Sequence, residues 1–116
     1  MANNCKIFTP DSYVAELLDI AGYNRGLLGR SVLENSCGDG NILKEVVRRY
    51  IADSLERGHD PEEIRAGLEA DICGVELEQE HANRCRENLD REAEAFGIHG
   101  VNWNRKSGKR EKLPLL

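Results

Sequence analysis

Long apolar runs are missing from this chain of 116 residues; none approaches the ~20 residues that a membrane-spanning helix requires. No basic-then-apolar leader opens it, so a cytoplasmic location away from any membrane is expected. Cysteine is sparse and badly spaced for chemistry: Cys5, Cys37, Cys73 and Cys85 form no C-x-x-C pair and no metal-ligand pattern. That argues against a zinc site or a disulfide scaffold and predicts reduced thiols. Proline occurs three times, at Pro10, Pro61 and Pro114, and never as an adjacent pair. Repeats and low-complexity segments are absent. Positive charge is scarce except at one end: residues 1–104 carry 11 Lys/Arg against 20 Asp/Glu, whereas residues 105–116 carry five bases and one acid. The acidic body is therefore no nucleic-acid-binding surface in its own right, and a contact with DNA is expected to fall to the basic tail, to a local patch, or to a part outside this sequence.

With 40% hydrophobic and 32% charged residues, the chain has room for one core and one domain, here placed at 1–104 with 105–116 as a disordered tail. Thr9-Pro10-Asp11-Ser12 is a helix start, with Thr9 as cap, Pro10 in the first turn and Asp11 at the positive end of the dipole. Val14, Leu17, Leu18 and Ala21 follow at helical spacing, and Gly22 stops the helix. Ser31–Glu34 reads as a strand. A second helix, opened by Asn41 or Asn35, runs to about Arg57 with Ile42, Val46, Val47, Tyr50 and Ile51 inward. Asp60-Pro61-Glu62-Glu63 opens a short helix reaching about Ala70. Asp71–Leu77 reads as the next strand. A long helix over about Glu78–Phe96 buries Ala82, Cys85, Leu89, Ala93 and Phe96, and Ile98–Trp103 is expected as a third strand. Strands alternating with helical crossovers predict a parallel α/β sheet.

Three clusters carry the chemistry. The first is Phe8-Thr9-Pro10, which as it stands is equally an N-cap with a hydrophobic staple. The second is Val32-Leu33-Glu34-Asn35-Ser36-Cys37-Gly38-Asp39-Gly40-Asn41. Here a strand passes through a tight Gly-Asp-Gly turn into a helix, so that unpaired N–H groups and a Cβ-free backbone face one spot. The third is Glu76, at the carboxyl end of the second strand, where a fixed carboxylate can accept from both hydroxyls of a ribose; a solvated strand end is the plainer reading. A dinucleotide site would want a third glycine after the turn, but that position is Leu43, which disfavours a pyrophosphate ligand.

In this order, Phe-Thr-Pro, then Leu-Glu-Asn-Ser-Cys-Gly-Asp-Gly, then Gly-Val-Glu-Leu-Glu, the chain resembles the N-terminal half of a restriction–modification-type N6-adenine DNA methyltransferase of class I. The resemblance covers about residues 7–104. It implies a Rossmann-like, three-layer α/β fold, with the parallel sheet cut to about three strands and flanked by helices, and it implies S-adenosylmethionine as cofactor. By position, Thr9 and Pro10 would pack near the methionine carboxylate, and Glu34 would sit near the amino group. Ser36, Cys37, Gly38, Asp39 and Gly40 would wrap the methionine end. Glu76 would hold the ribose and Leu77 would cover the adenine. Asn35 departs from the proline often found there.

The family's Asp/Asn-Pro-Pro-Tyr/Phe loop, which grips a flipped adenine, has no counterpart in this sequence, so no catalytic residue is assigned and the chain alone is expected not to methylate DNA. DNA would be a partner of the complete enzyme. A sheet of this kind leaves its first strand unpaired on one side, an edge expected to recruit a second copy or a complementary chain. Two other functions stay open on the residues: a non-catalytic or regulatory S-adenosylmethionine-binding module, and half of a methyltransferase with a non-DNA acceptor.

Overall fold

Val32 pairs with Ile72, Leu33 with Cys73 and Glu34 with Gly74, and this parallel register fixes the rest of the architecture. The computed structural model describes residues 11–34, 41–74 and 79–103. In chain order they form α1 (Asp11–Ile20), β1 (Val32–Glu34), α2 (Asn41–Glu56), α3 (Pro61–Asp71), β2 (Ile72–Gly74) and α4 (Gln79–Glu94). Parallel strands cannot be joined by a hairpin, and α2 with α3 supplies the crossover from β1 to β2. The protein is thus mixed α/β, compatible with a reduced Rossmann-like fold.

The helix boundaries follow local chemistry. The Asp60 carboxylate accepts from the Glu63 N–H at 2.8 Å, Pro61 occupies the first turn, and Glu62 and Glu63 favour the positive end of the helix dipole. Gly22, Gly58 and Gly97 end α1, α2 and α4 in the left-handed region, at φ 77°, 90° and 82°. In each case the next N–H returns to a carbonyl five residues back, Tyr23 to Leu18, His59 to Ser54 and Ile98 to Ala93. This closure satisfies carbonyls the helix end would otherwise leave open.

The core gathers Leu43, Val46, Val47, Tyr50 and Ile51 of α2 against Ile64 and Leu68 of α3, Ile72 of β2, and Leu89 and Ala93 of α4, with Tyr23, Leu27, Ile98 and Val101 closing it. Leu43, which periodicity did not single out, is fully buried, while Ile42, Cys85 and Phe96 are half-buried at its margin. Among the described side chains of α1 only Val14 is fully buried; Leu17, and Ala21 just after the helix, face solvent, so the expected four-residue stripe is cut to Val14 and part of Leu18. Arg49 of α2 ties down α1 and the turn that follows it. Its guanidinium donates to the carbonyls of Ala15 and Tyr23, to Asn24 Oδ1 and to Glu45, and it pairs with Asp19 at 2.9 Å.

Two expectations are corrected. Asp71 is not the first residue of the second strand but the last of α3, whose helix runs straight into β2 at Ile72. The third strand does not form: among the described residues the sheet has two strands, and residues 98–103 carry no ladder. The reason is local. The buried residues there, Ile98 and Val101, are three apart rather than two, and Gly100 between them adopts φ 72°. The Asn102 N–H, which a strand would offer to its neighbour, is taken by the Glu69 carboxylate at 2.8 Å.

Candidate functional site

The two strands point the same way, so both following connections leave from one edge of the sheet. Glu34 and Gly74 are register partners and the last residues of β1 and β2. The segment 35–40 continues from Glu34 and leads to the start of α2 at Asn41. The segment 75–78 continues from Gly74 and leads to α4 at Gln79. In open α/β sheets this carboxyl edge is where ligands bind. The starts of the two sequence clusters are therefore brought to adjacent backbone positions, although some 40 residues separate them in the chain.

Of the residues singled out for the cofactor, Glu34 has a described backbone, at the carboxyl end of β1. Thr9, Pro10, Ser36, Cys37, Gly38, Asp39, Gly40, Glu76 and Leu77 lie outside the described residues. The same is true of the segment 105–116. Cys73 lies on β2, half-buried, beside Leu33, and Cys85 is half-buried on α4. Among the described residues no group of three or more His, Cys, Asp or Glu side chains is placed to hold a metal ion. No described helix is long and apolar enough to cross a membrane.

What sequence reasoning missed is a set of buried carboxylates, two of which hold the entry to the strands at the end opposite this edge. Asp71 accepts from the Tyr50 hydroxyl at 2.6 Å and from the Gly29 N–H at 2.7 Å. Asp53 accepts from the Leu27 N–H at 3.0 Å and from Arg57 Nε at 3.3 Å. Two acids on different helices thus grip the turn that feeds β1. Glu69 likewise holds the segment after α4, accepting from the Asn102 N–H as well as from Arg65 Nη1 at 2.8 Å. Trp103 Nε1 then donates to Asp90 of α4 at 2.7 Å. Backbone N–H groups without a ladder partner would be costly to bury, and these carboxylates meet that need. The sequence signal was an acid at a helical position on the apolar side, read there as a strand start for Asp71 and not read at all for Asp53 and Glu69.

The charges around these groups shift two buried phenols. Burial raises the Tyr50 hydroxyl far above the ordinary tyrosine value, and its bond to the Asp71 carboxylate adds to the rise. Burial likewise raises Tyr23, against a lowering by Arg30, whose guanidinium lies 5.5 Å from the Tyr23 ring centre. On the exposed flank of α2, hydrogen bonds from Arg48 hold the Glu45 carboxyl below its usual range, with burial opposing and Arg49 adding to the effect. None of these groups lies at the carboxyl edge; they serve the frame that supports it.

Comparison with known proteins gives one informative likeness. Over 101 residues the chain is 31% identical to the type II methyltransferase M.BstVI of Geobacillus stearothermophilus, a match that covers 84% of this chain and 18% of that protein. The chain spans under a fifth of the length of the relative it matches. No protein-family model matches the sequence, and no solved structure matches it. The likeness supports a methyltransferase-related region.

Proposed function

We propose that this chain is the S-adenosylmethionine-binding portion of an adenine-N6 DNA methyltransferase of a restriction–modification system. The observation that carries the reading is the pairing of Glu34 with Gly74, which starts both motif segments from neighbouring points on one carboxyl edge. The likeness to a type II methyltransferase supports the coarser part of this reading, a methyltransferase-related region.

The chemistry of the donor set fits such a ligand. Its methionine end carries an ammonium and a carboxylate, and its ribose carries two hydroxyls. A carboxylate at Glu34 suits the ammonium, and a second at Glu76 suits the paired hydroxyls. Gly38 and Gly40, which precede α2 in the sequence and have no Cβ, would leave room and N–H donors for the methionine end. Thr9 and Pro10 would lie by the carboxylate, Ser36, Cys37 and Asp39 would complete the wrap, and Leu77 would cover the adenine ring. The cofactor, when bound, supplies a methyl group activated by its sulfonium. This chain's residues hold and orient that donor, which is a positioning role. No residue assigned here grips the acceptor amine, so on this reading the chain binds the donor and does not transfer the methyl group by itself.

Titration calorimetry with S-adenosylmethionine tests the reading. The chain is expected to bind it, and both Gly38→Val, which fills the turn, and Glu76→Ala, which removes the ribose acceptor, are expected to weaken binding at least tenfold. Equal binding by the parent and both variants, or no binding by the folded parent, overturns it.

A further inference from the structure

α1 has two sides of different character. Val14 and Leu18 turn one side to the core, Val14 fully and Leu18 in part. At about 100° per residue, Tyr13, Glu16, Leu17 and Ile20, spaced i, i+3, i+4 and i+7, share a face centred about 130° round the helix from that pair. Tyr13, Leu17 and Ile20 are 53%, 38% and 78% exposed, and Glu16 is exposed beside them. Asp19 continues the acidic margin; it is 61% exposed although it meets Arg49 of α2. No Lys or Arg occurs on this helix. The face is an apolar strip bordered by acids.

The chain itself carries the complement. Residues 105–116, which lie outside the described residues, hold Arg105, Lys106, Lys109, Arg110 and Lys112 against the single acid Glu111, and then Leu113, Leu115 and Leu116. Bases followed by leucines match an acidic margin beside an apolar strip in both respects. The reach suffices. α2 packs against α1 and against α4, so at about 8–10 Å per packed pair the axes of α1 and α4 stand no more than about 20 Å apart. Trp103 is bonded to α4 at Asp90. The stretch from Trp103 to Leu113 extends to roughly 33 Å. A second copy of the chain fits poorly, because two such faces would bring Glu16 and Asp19 of both copies together with no base on either helix.

We infer that the Tyr13–Leu17–Ile20 face of α1 is the docking surface for the chain's own segment 105–116, with Leu113, Leu115 and Leu116 on the apolar strip and the preceding bases along Glu16 and Asp19. Burial of the apolar side chains supplies most of the attraction, since exposed ion pairs contribute little each. The charges set which segment docks and in which orientation. Held in this way, the bases of the segment face the acids of α1 and are kept from other anions.

The test digests the full chain briefly with trypsin, which cuts after the bases of the segment, and follows cleavage within 105–116 by mass. Cleavage is expected to be at least tenfold slower than in a synthetic peptide of the same residues. Ile20→Ser, at an exposed position that leaves the fold intact by circular dichroism, should raise the rate at least fivefold. Leu115→Ser with Leu116→Ser, outside the core altogether, should do the same. Carbodiimide cross-linking of a mixture of isotopically light and heavy chains identifies the occupant. Lys109 or Lys112 should be joined to Glu16 or Asp19 in pairs that are wholly light or wholly heavy. Cleavage as fast as in the free peptide, cleavage indifferent to both sets of substitutions, or cross-links that mix light with heavy in statistical proportion overturns the inference.

Discussion

Tyr50, in the middle of α2, donates its hydroxyl to Asp71, the last residue of α3, at 2.6 Å inside the core. The same carboxylate oxygen holds the Gly29 N–H on the approach to β1. One phenol and one acid therefore join the crossover helix, the start of β2 and the entry to β1, the three pieces whose relative placement defines the carboxyl edge. Tyr23, also buried, has a hydroxyl with no partner among the described residues.

Removing these two hydroxyls should have opposite consequences. Tyr50→Phe deletes a hydrogen bond to a buried carboxylate and should cost about 1.5–3 kcal/mol of stability. Tyr23→Phe deletes a hydroxyl that pays for desolvation without a return, and should be neutral or slightly stabilising. Urea unfolding of the two variants at neutral pH checks the contrast. A larger loss for Tyr23→Phe than for Tyr50→Phe would contradict the bonding described here.

Both phenols also set an alkaline limit. Their folded values lie above the ordinary 10.0, because burial disfavours the charged form and, for Tyr50, Asp71 adds to the effect. Below pH 10 the phenols are protonated in both states and contribute no pH dependence. Above it the unfolded chain releases protons that the folded chain keeps, so stability falls as pH rises, by about 1.4 kcal/mol per pH unit for each tyrosine. Unfolding midpoints measured at pH 9, 10 and 11 should drop steeply over the last step. Each Tyr→Phe variant should remove about half of the tyrosine contribution to that drop.

Gly67 belongs to the same arrangement. It lies on α3, and a Cβ there would run into the Tyr50 hydroxyl. Alanine normally gains about 1 kcal/mol over glycine inside a helix. Here Gly67→Ala should instead destabilise, because the hydroxyl can move only by giving up Asp71. In the Tyr50→Phe background the obstruction is gone, and the same substitution should become neutral or stabilising. Thermal unfolding of the parent, the two single variants and the double variant forms a cycle. Additive effects within about 0.5 kcal/mol would rule out the clash.

The elements were legible where local chemistry dominates. The cap at Asp60-Pro61, the stops at Gly22, Gly58 and Gly97, and the apolar face of α2 all depend on residues within a turn of one another. The parallel arrangement followed from the order of strands and crossovers. Legibility failed where a distant polar group decided the outcome. Asp71 reads as the polar start of an apolar strand until Tyr50 and Gly29 are seen converging on it. Ile98–Trp103 reads as a strand because nothing local shows that Glu69, 33 residues from Asn102, takes its N–H. α1 reads as half-buried on four residues because the pattern shows what can be buried, not what is present to bury it. Of the candidate site, the sequence supplied the residues, and the fold adds the adjacency of Glu34 and Gly74.

Glu69 offers a direct handle on the segment that sequence patterning misplaced. Its carboxylate joins Arg65 on its own helix to the Asn102 N–H, next to Trp103, the one tryptophan of the chain. Glu69→Ala takes this acceptor from a part-buried backbone donor and should cost about 1 kcal/mol. The loss should be concentrated in residues 98–103 rather than spread over the core, since Trp103 is otherwise tied to α4 by its bond to Asp90. Tryptophan fluorescence reads this directly. In the variant, Trp103 should shift to the red and become more accessible to acrylamide at denaturant concentrations where the far-ultraviolet dichroism of the helices is unchanged. Glu69→Gln keeps an acceptor oxygen at the same reach and should restore most of the parent emission. If both variants emit as the parent does, the segment is held by its apolar contacts at Ile98 and Val101, and the carboxylate is not what keeps it out of the sheet.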